Sequence, residues 1–430
     1  MKTLFTIIIV MLVSQSSVAE DWPMFRHDLE HSGETSDVIE NPEDLELKWE
    51  FETRSLIRSS SPAVSGDYLY IGSGYSLYCV DKNTGELIWE FETEVGYPVE
   101  SSPAVSGNYV YFGSQNNYLY CLDKYNGELK WKFETEVGVR SSPTISGDYV
   151  YIGSEDDHIY CIDKNTGELK WKFETGDDVA SSPAISGDYV YFGSYDNSIY
   201  CLDKNTGVLK WKFETGDDVC SSPAIYEEYI YIGSQDKHVY CLDKNTGKLL
   251  WKFVTGHEVW SSPAVSDNYV YVGSTDSYIY CIDKKTGEVE WKFKTGGRSW
   301  TSPNWVWSSP AVSGNHIYIG SFDNSIYCLD KNTGKLKWKF ETGDDVWSSP
   351  AVSGDYVYVG SGDGRIYAFK EIVSYENVTE INEEVENPIE KEISEDKQEI
   401  GSIESNILLI IGVIILVLII LAAIFLKLKK

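Results

Sequence analysis

Residues Ser181–Thr215 read SSPAISGDYVYFGSYDNSIYCLDKNTGVLKWKFET, and close copies of this unit recur along the chain at a spacing of about forty residues. The unit contains four short β-rich runs, SSPAI, YVYFGS, SIYCLD and VLKWKFET, which we call A to D. Turn-forming Ser-Gly-Asp, Tyr-Asp-Asn and Lys-Asn-Thr-Gly segments separate the runs. Four antiparallel strands in a repeat of this length are typical of one blade of a β-propeller.

The number of repeats predicts eight blades. Run A opens with the tripeptide Ser-Ser-Pro, which ends at Pro62, Pro103, Pro143, Pro183, Pro223, Pro263, Pro310 and Pro350. Run D is shifted, because its first copy, Leu45–Thr53, precedes every run A and no D-like run follows Lys370. We therefore expect an all-β fold, an eight-bladed propeller in which Leu45–Thr53 supplies the outer strand of the last blade. A parallel β-helix, the alternative, would need no such shift.

The composition and charge restrict the class of partner. The chain contains 31 Tyr, 14 Trp and 35 Gly, which favours short strands and tight turns over helices. Its formal net charge of −31 opposes binding to nucleic acid, because phosphate contacts need a basic surface. We expect no nucleic acid partner, and we expect the propeller to be a monomer.

Both ends of the chain carry membrane signals. Lys2, an apolar run and the small residues Ser17-Val18-Ala19 predict a secretory signal peptide that is cut after Ala19. Ile407–Leu426 is an uninterrupted apolar stretch long enough to cross a bilayer, and lysines follow it. We expect a single-pass protein of the cell membrane, with an extracytoplasmic propeller and a cytoplasmic C-terminus.

The predicted domains follow from these boundaries. They are a signal peptide (1–19), an N-terminal extension (20–44), the propeller (45–370), an acidic disordered stalk (371–405), a transmembrane helix (406–426) and a cytoplasmic tail (427–430). The stalk contains the N-glycosylation sequon of Asn377.

Comparison of the repeats with one another separates scaffold from candidate function. The A–B and C–D turns are nearly constant, whereas the D–A and B–C connections vary from blade to blade. Every blade has the same folding requirements, so the varied face of the propeller is the candidate functional face. Neutral drift on a solvated surface is the alternative explanation.

The residue before each Ser-Ser-Pro is expected to surround the axis of the ring. In chain order these residues are Ser59, Glu100, Arg140, Ala180, Cys220, Trp260, Trp307 and Trp347. Trp300 and Trp305 lie in a seven-residue insertion beside them. Indole rings bind sugar rings, cationic groups or apolar peptide segments. The predicted ligand-binding residues are therefore Trp260, Trp300, Trp305, Trp307, Trp347, Arg140 and Glu100.

Other repeated residues are assigned to the scaffold. One Trp per run D is expected to pack between blades: Trp49, Trp89, Trp131, Trp171, Trp211, Trp251, Trp291 and Trp338. Seven cysteines at one position of run C are expected to be buried and too far apart for disulfides. Cys220 is either a reactive thiol or a residue that merely lines the pore. The repeated Asp of the B–C tips is expected to cap its own turn.

The C-D-K-type repeat carries a family resemblance. Cys201–Trp211, CLDKNTGVLKW, resembles the A-x-D-x-x-T-G-x-x-x-W repeat of pyrroloquinoline quinone (PQQ) propellers. Asp21–Asp28 also resembles the N-terminal segment of that family. The family includes quinoprotein alcohol dehydrogenases and the propeller subunit of the bacterial β-barrel assembly machinery. The resemblance therefore implies the propeller fold and leaves open whether the protein is an enzyme.

The dehydrogenase resemblance would imply PQQ stacked on a disulfide between adjacent cysteines, a bound calcium ion and a catalytic Asp. The sequence contains no Cys-Cys pair, so we expect no PQQ, no calcium or other metal site, and no catalytic residue. We predict a non-catalytic, membrane-anchored propeller that binds a protein or a glycan through its Trp-rich face. The alternatives are a PQQ-dependent dehydrogenase and an assembly scaffold.

Overall fold

A computed structural model of the chain describes residues 20–94, 96–296 and 304–372. These residues form eight sheets, each built from four antiparallel strands in the order A-B-C-D, and one sheet has a short fifth strand beside its strand A. The predicted eight-bladed all-β propeller is thus confirmed. The predicted signal peptide, most of the stalk with Asn377, and the C-terminal apolar stretch lie outside the described residues. Within the described ranges, no helix has the length and apolar character needed to cross a membrane.

The strands have nearly the same lengths in every blade. Blades 1 to 4 consist of Ala63–Ser65, Tyr68–Ser73, Ser76–Asp81 and Leu87–Glu92; Ala104–Ser106, Tyr109–Ser114, Tyr118–Asp123 and Leu129–Glu134; Thr144–Ser146, Tyr149–Gly153, His158–Asp163 and Leu169–Glu174; Ala184–Ser186, Tyr189–Ser194, Ser198–Asp203 and Leu209–Glu214.

Blades 5 to 8 follow the same pattern. They consist of Ala224–Tyr226, Tyr229–Gly233, His238–Asp243 and Leu249–Val254; Ala264–Ser266, Tyr269–Gly273, Tyr278–Asp283 and Val289–Lys294; Ala311–Ser313, His316–Ser321, Ser325–Asp330 and Leu336–Glu341; Ala351–Ser353, Tyr356–Gly360, Arg365–Glu371 and, from the start of the chain, Leu45–Glu52. Two short elements precede this last strand: Glu34–Thr35, which pairs in parallel with strand A of blade 7, and the 3-10 turn Pro42–Asp44.

The ring closes within blade 8. Leu45–Glu52 pairs in antiparallel fashion with Arg365–Glu371, so the first and last long strands of the propeller share one sheet. This pairing confirms the closure that the shifted run D predicts. The sheet extends one residue beyond the predicted end of the propeller, because Glu371 belongs to the strand and its carboxylate accepts hydrogen bonds from the backbone and side-chain amides of Asn41.

The repeated tryptophans link each blade to the next one. In blade 3 the indole Nε1 of Trp171 donates a hydrogen bond to the carbonyl of Lys204 in the C–D turn of blade 4, at 3.0 Å. The same ring covers Gly207, which has φ +72°. A Cβ at that position would lie 2.8 Å from the indole carbons. The Thr-Gly pair therefore provides both the left-handed turn and the space that the neighbouring indole occupies.

The Ser-Ser-Pro tripeptides form a girdle around the axis. The backbone N–H of the second serine donates to the hydroxyl of the second serine in the next blade, as from Ser102 to Ser142 at 3.0 Å. This bond recurs at all eight junctions, including the one from Ser349 back to Ser61. The innermost strands are therefore joined in a closed ring of hydrogen bonds.

The N-terminal extension closes one end of the axial channel. It crosses the face that carries the A–B turns and accepts backbone hydrogen bonds from strand A of six blades. The donors are the amides of Val64, Val105, Ile185, Ile225, Val265 and Val312. In blade 3, the imidazole Nε2 of His31 lies 3.3 Å from the Thr144 hydroxyl. In blade 8, the Ser353 hydroxyl donates to the carbonyl of Glu20 at 2.7 Å.

Charged and aromatic side chains of this extension fill the channel. Arg26 is buried, and its guanidinium donates to the carbonyls of Pro310 and Pro263. Burial lowers the pKa of His31 to about 4, so the imidazole is neutral near pH 7. Phe25 points toward the opposite end of the channel and lines the pocket there. The propeller is thus open on one face and plugged on the other.

Candidate functional site: the axial pocket

The open end of the channel is a pocket with a volume of about 130 Å³. All eight residues that precede a Ser-Ser-Pro tripeptide line it, as do seven of the girdle serines, Tyr195 and Phe25. The D–A connections therefore converge on the axis as the sequence predicts. Tyr195 comes from a B–C tip, so both varied connections contribute to the pocket. Its floor is Phe25, which the sequence analysis did not place there.

One wall of the pocket consists of packed aromatic rings. Trp260 and Trp307 are stacked at a centroid distance of 4.8 Å, and Trp305 stacks on Trp307 at 5.4 Å. Trp347 meets Trp307 edge-on at 5.4 Å and stacks on Phe322 at 4.9 Å. The structure thus brings together four of the five predicted tryptophans, while Trp300 lies outside the described residues. Trp260, Trp307 and Trp347 line the pocket, while Trp305 and Phe322 pack against them from behind. We name these five residues (Trp260, Trp305, Trp307, Phe322 and Trp347) the aromatic wall.

Phe322 is a member of the aromatic wall that sequence reasoning missed. It occupies the first position of a B–C tip, FDNS, where the other blades have Gly, Gln, Glu, Tyr or Thr. This departure was visible in the repeat comparison. What the sequence did not reveal is that the B–C tip of blade 7 leans over the inserted loop that carries Trp305.

Two indole N–H groups of the aromatic wall differ in whether they have a hydrogen-bond acceptor. Trp260 Nε1 donates to the Glu258 carboxylate at 2.8 Å. Trp307 Nε1 is shielded from solvent and has no acceptor among the described residues. A buried indole N–H normally has a partner, because an unmade hydrogen bond costs about 1–3 kcal/mol. This N–H is therefore buried and faces no occupant of the pocket, and what the aromatic wall offers a ligand is a flat apolar surface.

The opposite wall is ionic. Arg140 Nε lies 3.2 Å from one carboxylate oxygen of Glu100, and Arg58 Nη1 lies 3.9 Å from the other. Burial opposes the charge on Arg140, but Glu100 and the other nearby acidic groups together outweigh this effect and the pKa of Arg140 is raised. Arg58, which the sequence analysis did not select, also lies over the Trp347 ring at 6.0 Å. The carboxylate is thus held between two guanidinium groups.

Cys220 lines the pocket, and its side chain is a protonated thiol and not a reactive thiolate. Burial raises the pKa of Cys220 to about 12, so very little thiolate forms near pH 7. The neighbouring Tyr195 hydroxyl also has a raised pKa because it is buried. Of the two alternatives for Cys220, the pore-lining role fits this environment and the reactive thiol does not.

The aspartates of the B–C tips hold the loops in place. In blade 6, Asp276 accepts hydrogen bonds from its own turn at the Tyr278 amide, from the Tyr280 hydroxyl, and from Gly256 of the preceding blade. Equivalent bonds join Asp363 to Arg365, Tyr367 and Gly343. The expected turn cap is therefore present at these tips, together with a link between blades.

A cluster of three carboxylates lies in the B–C tip of blade 3 and the D–A connection that follows it. One oxygen from each of Asp157, Asp177 and Asp178 lies within 4.8 Å of the others. Burial, and then the nearby charges of Glu155 and Asp177, raise the pKa of Asp178 to about 6. None of the three carboxylates lines the pocket itself.

Two family models match large parts of the chain. The model described as outer membrane protein assembly factor BamB matches residues 73–195 and 293–372. The model described as the β-propeller of a beta-alanine-activating enzyme matches residues 146–312. The chain is a PQQ-like β-propeller. No curated protein sequence is significantly similar to this PQQ-like propeller.

Solved structures share the fold of this PQQ-like propeller. A europium-containing methanol dehydrogenase is 14% identical, with a TM-score of 0.70 over 82% of this chain and 98% of its own. BamB from Moraxella catarrhalis is 20% identical, with a TM-score of 0.64 over 76% and 97%. Quinohemoprotein alcohol dehydrogenase from Comamonas testosteroni is 16% identical, with a TM-score of 0.70 over 82% and 80%. At these identities the likeness establishes the fold alone.

Proposed function

We propose that this PQQ-like propeller is a non-catalytic binding protein whose axial pocket takes the terminal sugar of a glycan chain. The observation that carries the proposal is the aromatic wall, whose Trp260, Trp307 and Trp347 line the pocket together with Glu100 and Arg140. A sugar ring has a flat C–H face that packs on indole, and its hydroxyl oxygens accept hydrogen bonds. An apolar peptide segment would also cover the rings, but it would bury the charged Glu100 and Arg140 against apolar groups.

The other walls of the pocket suit the same ligand. Glu100 and Arg140 present an acceptor and donors opposite the aromatic wall. Each lining girdle serine uses its oxygen as an acceptor in the ring, so its hydroxyl proton can be donated to an occupant. The pocket thus combines one stacking surface with hydrogen-bonding groups on its remaining sides.

The size and shape of the pocket favour the end of a chain. Its volume of about 130 Å³ is smaller than the roughly 300–1,000 Å³ of pockets that enclose a whole drug-sized ligand. Phe25 closes the bottom, so a polymer cannot thread through the ring. One terminal ring with its linkage pointing outward fits these limits.

The lining residues do not fit PQQ held by calcium. Cys220 has no cysteine beside it in the sequence, and Glu100 is the single carboxylate among the lining residues and is held by two guanidinium groups. The protonated thiol of Cys220 also lacks a nucleophile's character. These features support a binding function without catalysis.

The same proposal places the propeller outside the cell membrane. The predicted signal peptide and the predicted helix over 406–426 would place the propeller outside the cell membrane, above an acidic stalk. Glycans of that compartment would then be the available ligands.

The test uses the full chain in a detergent that has no sugar headgroup. Neutral oligosaccharides of glucose, mannose, galactose and N-acetylglucosamine are titrated while tryptophan fluorescence and the heat of binding are recorded. We expect one series to bind, and Trp307→Ala to weaken it at least tenfold, which is about 1.4 kcal/mol. Tyr125→Ala, an exposed aromatic residue in a C–D turn on the opposite face, is the matched control and should bind normally.

Two results would contradict the proposal. One is that none of the four oligosaccharide series binds, while a protein partner binds both the natural chain and the Trp307→Ala variant. The other is alcohol oxidation by the full chain after PQQ and calcium are added.

A further inference from the structure

Glu20, the residue that follows the predicted cleavage position, is held by several hydrogen bonds. The Glu20 backbone N donates to Asp37 Oδ2 at 2.8 Å, and the Glu20 carbonyl accepts from the Ser353 hydroxyl at 2.7 Å. The Glu20 carboxylate accepts from the Thr35 hydroxyl and from the amide and hydroxyl of Ser36. Termini without such ties are poorly ordered, so these contacts fix residue 20 in one place.

Glu20 and its neighbour lie across the junction at which the ring closes. Asp37, the acceptor of the Glu20 N–H, also accepts from the amide of Gly354 in blade 8. Asp21 accepts from the Ser65 hydroxyl and the Gly66 amide in blade 1, at 3.1 and 2.8 Å. Residues 20 and 21 therefore bridge the last and the first blade on the plugged face.

We propose that Asp37 is the receptor of a new N-terminus, which peptide hydrolysis between Ala19 and Glu20 creates. Water adds across the Ala19–Glu20 amide: the C–N bond breaks, Ala19 keeps a carboxylate, and the Glu20 nitrogen becomes an α-ammonium group. A peptidase that cuts after small residues, as Ser17-Val18-Ala19 predicts, supplies the catalysis.

The chemistry of the site favours the cleaved form. Before cleavage the Glu20 nitrogen is a neutral amide with one proton, whereas afterwards it carries three protons and a positive charge. Asp37 Oδ2 is already at hydrogen-bond distance, so the same contact becomes a charge-assisted bond, which is about twice as strong as a neutral one. Removal of the leader thereby strengthens the bridge over the closing junction, independently of what the axial pocket binds.

The test compares mature N-termini in the full chain, exported and purified in detergent. One protein has the natural sequence, and a second has Gly-Ser inserted after Ala19, which moves the ammonium group two residues away from Asp37. We expect the intact mass of the first to begin at Glu20, and its apparent Tm to be about 1–3 °C above that of the second. The difference should vanish in Asp37→Asn.

Asp21→Asn is the matched control, because its carboxylate anchors the same segment through Ser65 and Gly66 and not through the terminal nitrogen. That variant should lower the Tm of both proteins and keep the difference between them. A mass that begins elsewhere overturns the proposal. Equal Tm values in the natural background, or a difference that persists in Asp37→Asn, also overturn it.

Discussion

At the scale of single residues, the two serines of each Ser-Ser-Pro tripeptide have separate tasks. The second serine joins neighbouring blades through the girdle. The first serine acts within its own blade, where its hydroxyl accepts from the backbone N–H of a glycine in strand B, as from Gly153 to Ser141 at 3.1 Å. Both positions are buried, which explains why the tripeptide is repeated in every blade while its neighbours vary.

Blade 4 provides an internal control for the first serine. The Ser181 hydroxyl is buried and has no partner among the described residues. Ser141→Ala removes the acceptor of the Gly153 amide and should cost about 1–3 kcal/mol in the free energy of unfolding. Ser181→Ala should leave the stability unchanged or slightly increase it. Urea unfolding of both variants measures the difference, and equal losses would contradict the assigned role.

The cluster of three carboxylates gives a pH dependence at the same scale. Burial and neighbouring charges raise the pKa of Asp178 in the folded protein to about 6, above its ordinary value of 3.8. Its ionisation therefore costs stability above pH 6, and this cost disappears as the pH falls toward 4. Asp178→Asn should raise the apparent Tm at pH 7.5 by roughly 1–3 °C and have no effect near pH 4. A gain that is the same at pH 4 and pH 7.5, or no gain at pH 7.5, would contradict this account.

At the scale of the blade, the fold is stabilised by the contact between the outer strand of one blade and the C–D turn of the next blade. The core is divided into wedges between neighbouring blades, and Cys161 of blade 3 packs with Phe192 and Leu202 of blade 4 in one of them. The indole of Trp171 closes the outer edge of the same wedge by covering Gly207. Each blade thus depends on its neighbour for burial of its side chains.

Two glycines of blade 4 allow the effect of this contact on stability to be distinguished from the effect of backbone strain. Gly207 and Gly187 both have positive φ, +72° and +58°, but a Cβ would meet the Trp171 ring at the first and nothing within 4 Å at the second. Gly207→Ala should therefore destabilise the protein by about 1–3 kcal/mol more than Gly187→Ala does. Guanidinium unfolding of the two variants gives the comparison. Similar losses would mean that the indole moves aside at no cost.

At the scale of the whole molecule, the ring depends on its closing strand. Deletion of residues 45–53 would leave Arg365–Glu371 unpaired on one edge and remove Leu45, whose carbonyl accepts from Trp338 Nε1 at 3.1 Å. It would also remove Trp49, which bonds to Lys82 of blade 1. We expect the apparent Tm of the full chain to fall by at least roughly 5 °C. An unchanged Tm would contradict a closed ring.

The sequence predicted what the repeats encode. Eight blades, the shifted strand and the convergence of Trp260, Trp307 and Trp347 all follow from comparison of equivalent positions, because each blade repeats the same backbone. The N-terminal segment that plugs the channel, residues 20–37, could not be found in this way. Residues 20–37 occur once and have no regular period, and their polar and charged side chains, such as Arg26, are buried through contacts with six or more blades that no local pattern displays.

The plug imposes an order on biosynthesis. Residues 22–33 leave the ribosome early, yet their hydrogen-bond partners extend as far along the chain as Val312, and the strand Leu45–Glu52 must await Arg365–Glu371. Residues 22–33 therefore stay incompletely seated until blade 7 has been made, and Leu45–Glu52 stays unpaired until blade 8 has been made. Contacts between such distant segments form slowly. Completion of the ring therefore waits for the synthesis of Glu371, and until then the nascent chain exposes both the vacant channel and an unpaired strand edge.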